Sequence, residues 1–157
     1  ADSRFVARRI GTIFSLLCAS PAYLEKYGEP TSLDDLQKHA CLRLVNPSIT
    51  PQWHLVSENS CSYQIDITGP LIADTPELLL DMVQQDMGIA LLPTFAVIEA
   101  IRTGRLCRVL ADWRSPDIGV YTLLPSRHFI DAKTRAWLTW VEQHISPKIQ
   151  SDTDYFL

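Results

Sequence analysis

Residues 13–28 read IFSLLCASPAYLEKYG, and this order decides the architecture. Ile13 to Cys18 is an apolar run of strand length. It stops at Ser20-Pro21, a hydroxyl cap followed by proline at the first helical position. The helix from Ala22 to about Tyr27 then meets Gly28, which can take the left-handed conformation that closes a helix. A buried strand leading directly into a capped helix is the repeating unit of α/β proteins.

The same grammar recurs downstream. Ser32 caps a further helix with Asp35 three residues on, predicted to run to about His39. Cys41 to Val45 is a buried strand and residues 46–52 a proline-containing loop. Trp53 to Val56 is a strand, residues 57–62 a polar turn, and Tyr63 to Thr68 alternates as a half-buried strand does. Thr75-Pro76 opens a helix with Leu78, Leu79, Met82 and Val83 on one face, broken at Gly88. Ile89 to Leu92 is a short buried strand, and the helix begun at Pro93-Thr94 ends at Thr103-Gly104. Leu106 to Leu110 and Gly119 to Leu124 are strands. Asp131 caps a long helix whose apolar stripe is Ala136, Trp137, Trp140, Val141 and His144. Trp113, Trp137 and Trp140 are expected in a core or packed between lobes, and residues 151–157 are expected to fray.

Composition narrows the function. The 157 residues carry 14 Lys plus Arg against 18 Asp plus Glu, a net charge of −4. Their densest basic cluster is only Arg4, Arg8 and Arg9, so these residues should not grip nucleic acid by themselves. No run is long and apolar enough for a membrane helix, and no secretory leader is evident, which favours a cytoplasmic setting. Cys18, Cys41, Cys61 and Cys107 form no CxxC pair and no metal-ligand spacing with histidine, so no metal is expected. Cys61, in a polar run, is expected to be exposed. No nucleophile elbow, phosphate loop or dinucleotide fingerprint occurs, and nothing points to an enzyme or a cofactor.

Three helix starts carry more information: Ser20-Pro21, Thr75-Pro76 and Thr94-Phe95. Each offers unpaired backbone N–H groups, a partial positive charge and a hydroxyl. If such ends converge, they hold a carboxylate or other anion without arginine; alternatively each hydroxyl only caps its own helix.

The order of the segments resembles a known family. Residues 2–11 (DSRFVARRIG) and 17–24 (LCASPAYL), then Gly28-Glu29-Pro30, Leu33-Asp34-Asp35-Leu36, His39 and Cys41-Leu42, are similar to the effector-binding domain of LysR-type transcription regulators. The likeness returns at residues 88–93 (GIALLP), Gly104-Arg105-Leu106, Val109-Leu110 and Val120-Tyr121, and covers the chain to about Ile149. The resemblance implies the fold of type 2 periplasmic binding proteins, in which two Rossmann-like lobes are joined by crossing strands around an inducer. It implies residues 1–18 and 121–149 as part of an incomplete first lobe, residues 19–120 as the second lobe, and residues 150–157 as a tail. It makes Ser20, Asp74, Thr75, Thr94 and Phe95 the ligand-facing candidates. The ligand would be a small organic acid or aromatic metabolite, and the chain a homo-oligomer that reaches DNA only through a helix-turn-helix head outside these residues. A solute-binding protein of a transport system, which shares the two-lobe fold, is the alternative.

Overall fold

The computed structural model describes residues 5–45, 52–57, 59, 61–124 and 131–157. The loop read over 46–52 therefore lies mostly outside the described residues, as does part of the turn at 57–62. The chain divides into two compact units, Ala1–Ile13 with Asp117–Leu157, and Phe14–Pro116. These limits differ by a few residues from those the resemblance implies, and residues 150–157 fall within the first unit.

In the smaller unit, β1 (Val6–Ile13) pairs antiparallel with β10 (Ile118–Leu124), from Val6 opposite Leu124 to Ile13 opposite Ile118, with a bulge between Arg9 and Gly11. Helix α4 (Ala132–Asp154) lies along β1. Asp131 caps it by accepting the Thr134 N–H at 2.7 Å. Arg8 pairs with Glu142, and the Thr153 hydroxyl donates to the Thr12 carbonyl at 3.0 Å. The expected fraying does not occur: the helix continues to Asp154, and Asp152, Thr153 and Phe156 are buried. A Lys148–Asp152 ion pair at 3.2 Å spans the turn after Pro147.

The stripe predicted for this helix is also corrected. Leu138 and Val141 are buried, but Trp137 and Trp140 remain 52% and 50% exposed, with His144 stacked on Trp140. Periodicity located a face, and that face is not the one against β1.

The larger unit is a sheet in the order β5-β4-β9-β2-β7-β3-β6, with β8 (Cys107–Arg108) also on β2. Its centre is β2 (Ser15–Ala19), every residue of which is buried. Strand β2 runs antiparallel to β7 (Ile89–Pro93), whereas β3 (Cys41–Leu44) and β6 (Ile72–Ala73) run parallel to β7 and to each other. One flank is the hairpin β4 (Gln52–Ser57) and β5 (Ser62–Asp66), joined to β2 through β9 (Trp113–Arg114).

Alternate residues of the central strands face opposite ways. Leu17, Ala19, Cys41 and Ile89 join Tyr23 of α1 (Pro21–Tyr27), Leu33 and Leu36 of a 3₁₀ helix (Leu33–Lys38), and Trp53 and Leu55 of β4 in one core. The 3₁₀ turn carries the capping box read from Ser32 and Asp35. Leu16, Leu42 and Leu92 face the other side. There α2 (Pro76–Gln84) and α3 (Thr94–Arg102) bring Leu79, Val83 and Val97 against the sheet. Leu78, predicted on the inner face of α2, stays 41% exposed. Gly69 passes so close to β3 that a Cβ there would meet the Cys41 carbonyl oxygen at 1.7 Å.

Candidate functional site

Strand direction decides which helix starts meet. Strands β3, β6 and β7 are mutually parallel, so their carboxyl ends share one edge of the sheet. Strand β6 leads through Asp74 and Thr75 into α2, and β7 leads through Pro93 into Thr94 and α3. Only β3 separates β6 from β7, so the two helix starts stand about 10 Å apart, two inter-strand spacings. Strand β2 contributes its beginning to this edge: Ser15 is opposite Pro93, and the Thr94 N–H donates to the Phe14 carbonyl at 2.9 Å.

Asp74, Thr75, Thr94 and Phe95 therefore share an edge, and Ser20 does not. Ser20 follows the far end of β2, which runs the opposite way, and sits about 16 Å along the strand from Ser15. There its hydroxyl accepts the Tyr23 N–H at 3.1 Å and donates to Asp86 Oδ1 at 2.6 Å. Asp86 is the left-handed residue (φ 61°) closing α2, with Asp86 N–H on the Val83 carbonyl and Met87 N–H on the Met82 carbonyl. Ser20 is thus a structural cap fastened to a helix closure. Nearby, the Tyr23 hydroxyl accepts the Ala40 N–H at 3.0 Å and pairs with His39 Nδ1 at 3.1 Å, and burial holds the His39 imidazole below its ordinary pKa.

Capping separates the two edges chemically. Helices α1 and α4 are capped by side chains, and the 3₁₀ turn by a box in which Lys38 and the Thr31 and Ser32 hydroxyls hold the Asp35 carboxylate well below its ordinary pKa. Helices α2 and α3, which begin at the shared edge, have no side-chain cap. Thr75 is exposed, and Thr94 is fully buried with a hydroxyl that has no hydrogen-bond partner. A buried hydroxyl left unpaired costs about 1–3 kcal/mol. Phe95, half exposed, and the exposed Asp74 flank these groups. The arrangement presents donors, a partial positive charge and one aromatic ring, and holds no nucleophile with an adjacent base.

Sequence reading did not single out Arg43, on β3 opposite Ile72, which by strand alternation shares the Cys41 face of the sheet, away from α2 and α3. Its Nε is buried without an acceptor. A lone charge inside the otherwise apolar run of residues 41–45 was the available signal.

Other features carry less chemistry. The Cys18 and Cys41 thiols are pushed up to about 12 by burial, so both stay protonated at neutral pH. Cys61 is exposed as expected and lines a hollow of about 500 Å³ with Ser57, Asn59, Asp112 and Trp113. A second hollow, about 560 Å³, lies on α4 beside Trp140. Among the described residues no cluster of ligating side chains could hold a metal ion, and no helix is long and apolar enough to cross a membrane.

Comparison with known proteins agrees with this architecture. The family model described as the LysR substrate binding domain matches residues 1–146. An HTH-type transcriptional regulator of Xanthomonas campestris pv. campestris is 28% identical over 99% of this chain and 45% of its own length. The HTH-type transcriptional regulator DmlR of Escherichia coli is 30% identical over 90% of this chain and 46% of its own. The chain spans less than half the length of these relatives. Among solved structures, the regulatory domain of AphB from Vibrio vulnificus superposes with a TM-score of 0.79 at 27% identity, covering 92% of this chain and 72% of that one. The CrgA regulatory domain from Neisseria meningitidis gives 0.80 at 26% identity, covering 91% and 70%.

Proposed function

The chain belongs to the LysR substrate binding domain family of transcription regulators, and on that premise we propose that it senses a small metabolite at the edge shared by α2 and α3. The observation that carries this reading is the pair of helix starts without side-chain caps beside the unpaired Thr94 hydroxyl, whereas the described helices α1 and α4 carry such caps. The ligand is a small organic acid or aromatic metabolite; Thr75, Thr94 and the α3 amides orient its polar end and Phe95 contacts its apolar part. Asp74 stands at the α2 start, where it can accept a ligand hydrogen bond. Ser20 has no part in binding.

The domain recognises and relays; it catalyses no reaction. In the whole regulator, a helix-turn-helix head of the kind that names the relatives contacts DNA in the cytoplasm, and the ligand acts by binding one arrangement of the protein better than another. The exposed Phe5, Tyr121, Leu123, Trp137 and Trp140 of the smaller unit support self-association. Light scattering that shows only monomer at high concentration rejects that part.

A metabolite panel screened by thermal shift tests the site. Hits should weaken in Thr75→Ala and Phe95→Ala and persist in Ser20→Ala. Hits equally tight in the first two variants refute the assignment.

A further inference from the structure

On the flank of the larger unit opposite β6, the hairpin β4–β5 and the start of β9 border a hollow of about 500 Å³, within the size range of small-molecule sites. Its lining is Ser57, Asn59, Cys61, Asp112 and Trp113. Register brings these residues together. Ser57, at the end of β4, stands opposite Trp113 of β9, and its N–H donates to the Cys61 carbonyl at 2.9 Å across the hairpin. The Trp113 N–H closes the preceding turn on the Leu110 carbonyl at 2.8 Å, with Leu110 in the left-handed region at φ 49°. Tyr63 of β5 meets the Trp113 ring edge-on, centroids 6.3 Å apart, and so holds the indole beside the hollow.

The chemistry of this lining is one-sided. Asp112 carries its only formal charge, is exposed, and has no partner among the described residues. Asn59 adds an exposed amide oxygen, and Ser57 a hydroxyl that accepts the Cys61 N–H at 3.3 Å. The basic side chains nearest in sequence have contacts elsewhere: Arg108 donates to the Ala111 carbonyl, and Arg114 lies over the Phe14 ring at 4.5 Å. A carboxylate, neutral oxygen acceptors and the face of an indole all attract a cation, whereas an acid would meet Asp112 with like charge. We propose that the hollow is a second binding site, which takes a small organic ammonium ion. Asp112 and Asn59 accept its N–H groups, and its charge lies against the Trp113 ring. The site is separate from the α2–α3 edge, since β2, β7 and β3 stand between β9 and β6 in the sheet. Cys61, the exposed thiol of the four cysteines, reports on it.

The experiment titrates the chain with putrescine and benzylamine, each paired with its neutral counterpart, butanediol and benzyl alcohol. Iodoacetamide then alkylates the thiols, with Cys61 and Cys107 followed separately by peptide mass, and the Trp113 indole N–H resonance is recorded in parallel. The amines should protect Cys61 saturably, leave Cys107 as an unaffected internal control, and shift the indole resonance. The alcohols should bind about tenfold more weakly, the difference expected when a hydrogen bond loses its charge. Asp112→Asn should weaken the amines by about three- to tenfold, the range of a partly exposed charge pair with an aromatic neighbour. Asp112→Glu keeps the charge and should keep the protection, which makes it the folding control for the asparagine variant. Alcohols that protect as well as amines, protection reproduced by sodium chloride at equal ionic strength, equal slowing of Cys107, unchanged amine binding in Asp112→Asn, or no protection by either amine overturns the proposal.

Discussion

Replacing Thr94 by valine should make the ligand-free protein more stable and a poorer receptor. The two side chains have the same branched shape and similar helix propensities, so the change chiefly exchanges a hydroxyl for a methyl. Thr94 is fully buried, and its hydroxyl has no partner. An unpaired buried hydroxyl costs about 1–3 kcal/mol, and part of that is recovered when the group becomes apolar. Taking about 1–2 kcal/mol as the gain, and about 3 °C per kcal/mol for a chain of this size, the melting temperature should rise by about 3–6 °C. Ligand affinity should fall by about tenfold or more, the loss of one hydrogen bond to a charged group. Urea denaturation and melting of the ligand-free chain read the first effect, and calorimetric titration of the best panel ligand reads the second. A Thr94→Val protein that melts below the parent, or binds as tightly, would show that the hydroxyl belongs to the fold and refute the reasoning.

The other predictions separate architecture from recognition. Ser20→Ala removes the α1 cap and the 2.6 Å bond to Asp86, and should cost about 2–3 kcal/mol in chemical denaturation with ligand affinity unchanged. Gly69→Ala forces a Cβ onto the Cys41 backbone, so it should destabilise by more than about 2 kcal/mol and disturb the β3–β6 pairing. Gly11→Ala meets only the Ile149 side chain and should cost less, which paired melts would check. The Asp35 carboxylate is held below its ordinary pKa by Lys38 and by the Thr31 and Ser32 hydroxyls. A group depressed in the folded state stabilises above its unfolded pKa of about 4 and loses that contribution as pH falls toward the folded value. Asp35→Asn should therefore flatten the stability profile below about pH 4, while a parallel profile would contradict it.

The helix starts and central strands were legible because caps, prolines and apolar runs are local signals. Ser20-Pro21 and Thr75-Pro76 are nearly the same local signal, yet they lie at opposite edges of the sheet. The difference is strand direction: β2 pairs antiparallel with β7, while β6 and β3 run with β7. That information resides in long-range pairing, not in the dipeptides. Trp137 and Trp140 fail for a related reason, since helical spacing marks an apolar face without saying what covers it. The continuation of α4 to Asp154 was obscured by Pro147 and by polar residues whose partners, such as the Thr12 carbonyl, come from the other end of the chain.

The unequal treatment of the two edges has a thermodynamic meaning. At the far edge, Ser20, Asp86, Tyr23 and Ala40 satisfy one another, and the fold keeps that stability whether or not a ligand is present. At the near edge, the buried Thr94 hydroxyl has no partner, so the folded state carries a standing cost there. A ligand that supplies the missing partner recovers this cost only while bound. Linkage then stabilises the bound form by about 2.7 kcal/mol at a ligand concentration of one hundred times Kd. A sensor shifts its population only by the part of such energy that differs between two arrangements, and a complete switch needs a difference of about 5.5 kcal/mol. Fastening the near edge with caps of its own would give a sturdier domain with less to gain from its ligand.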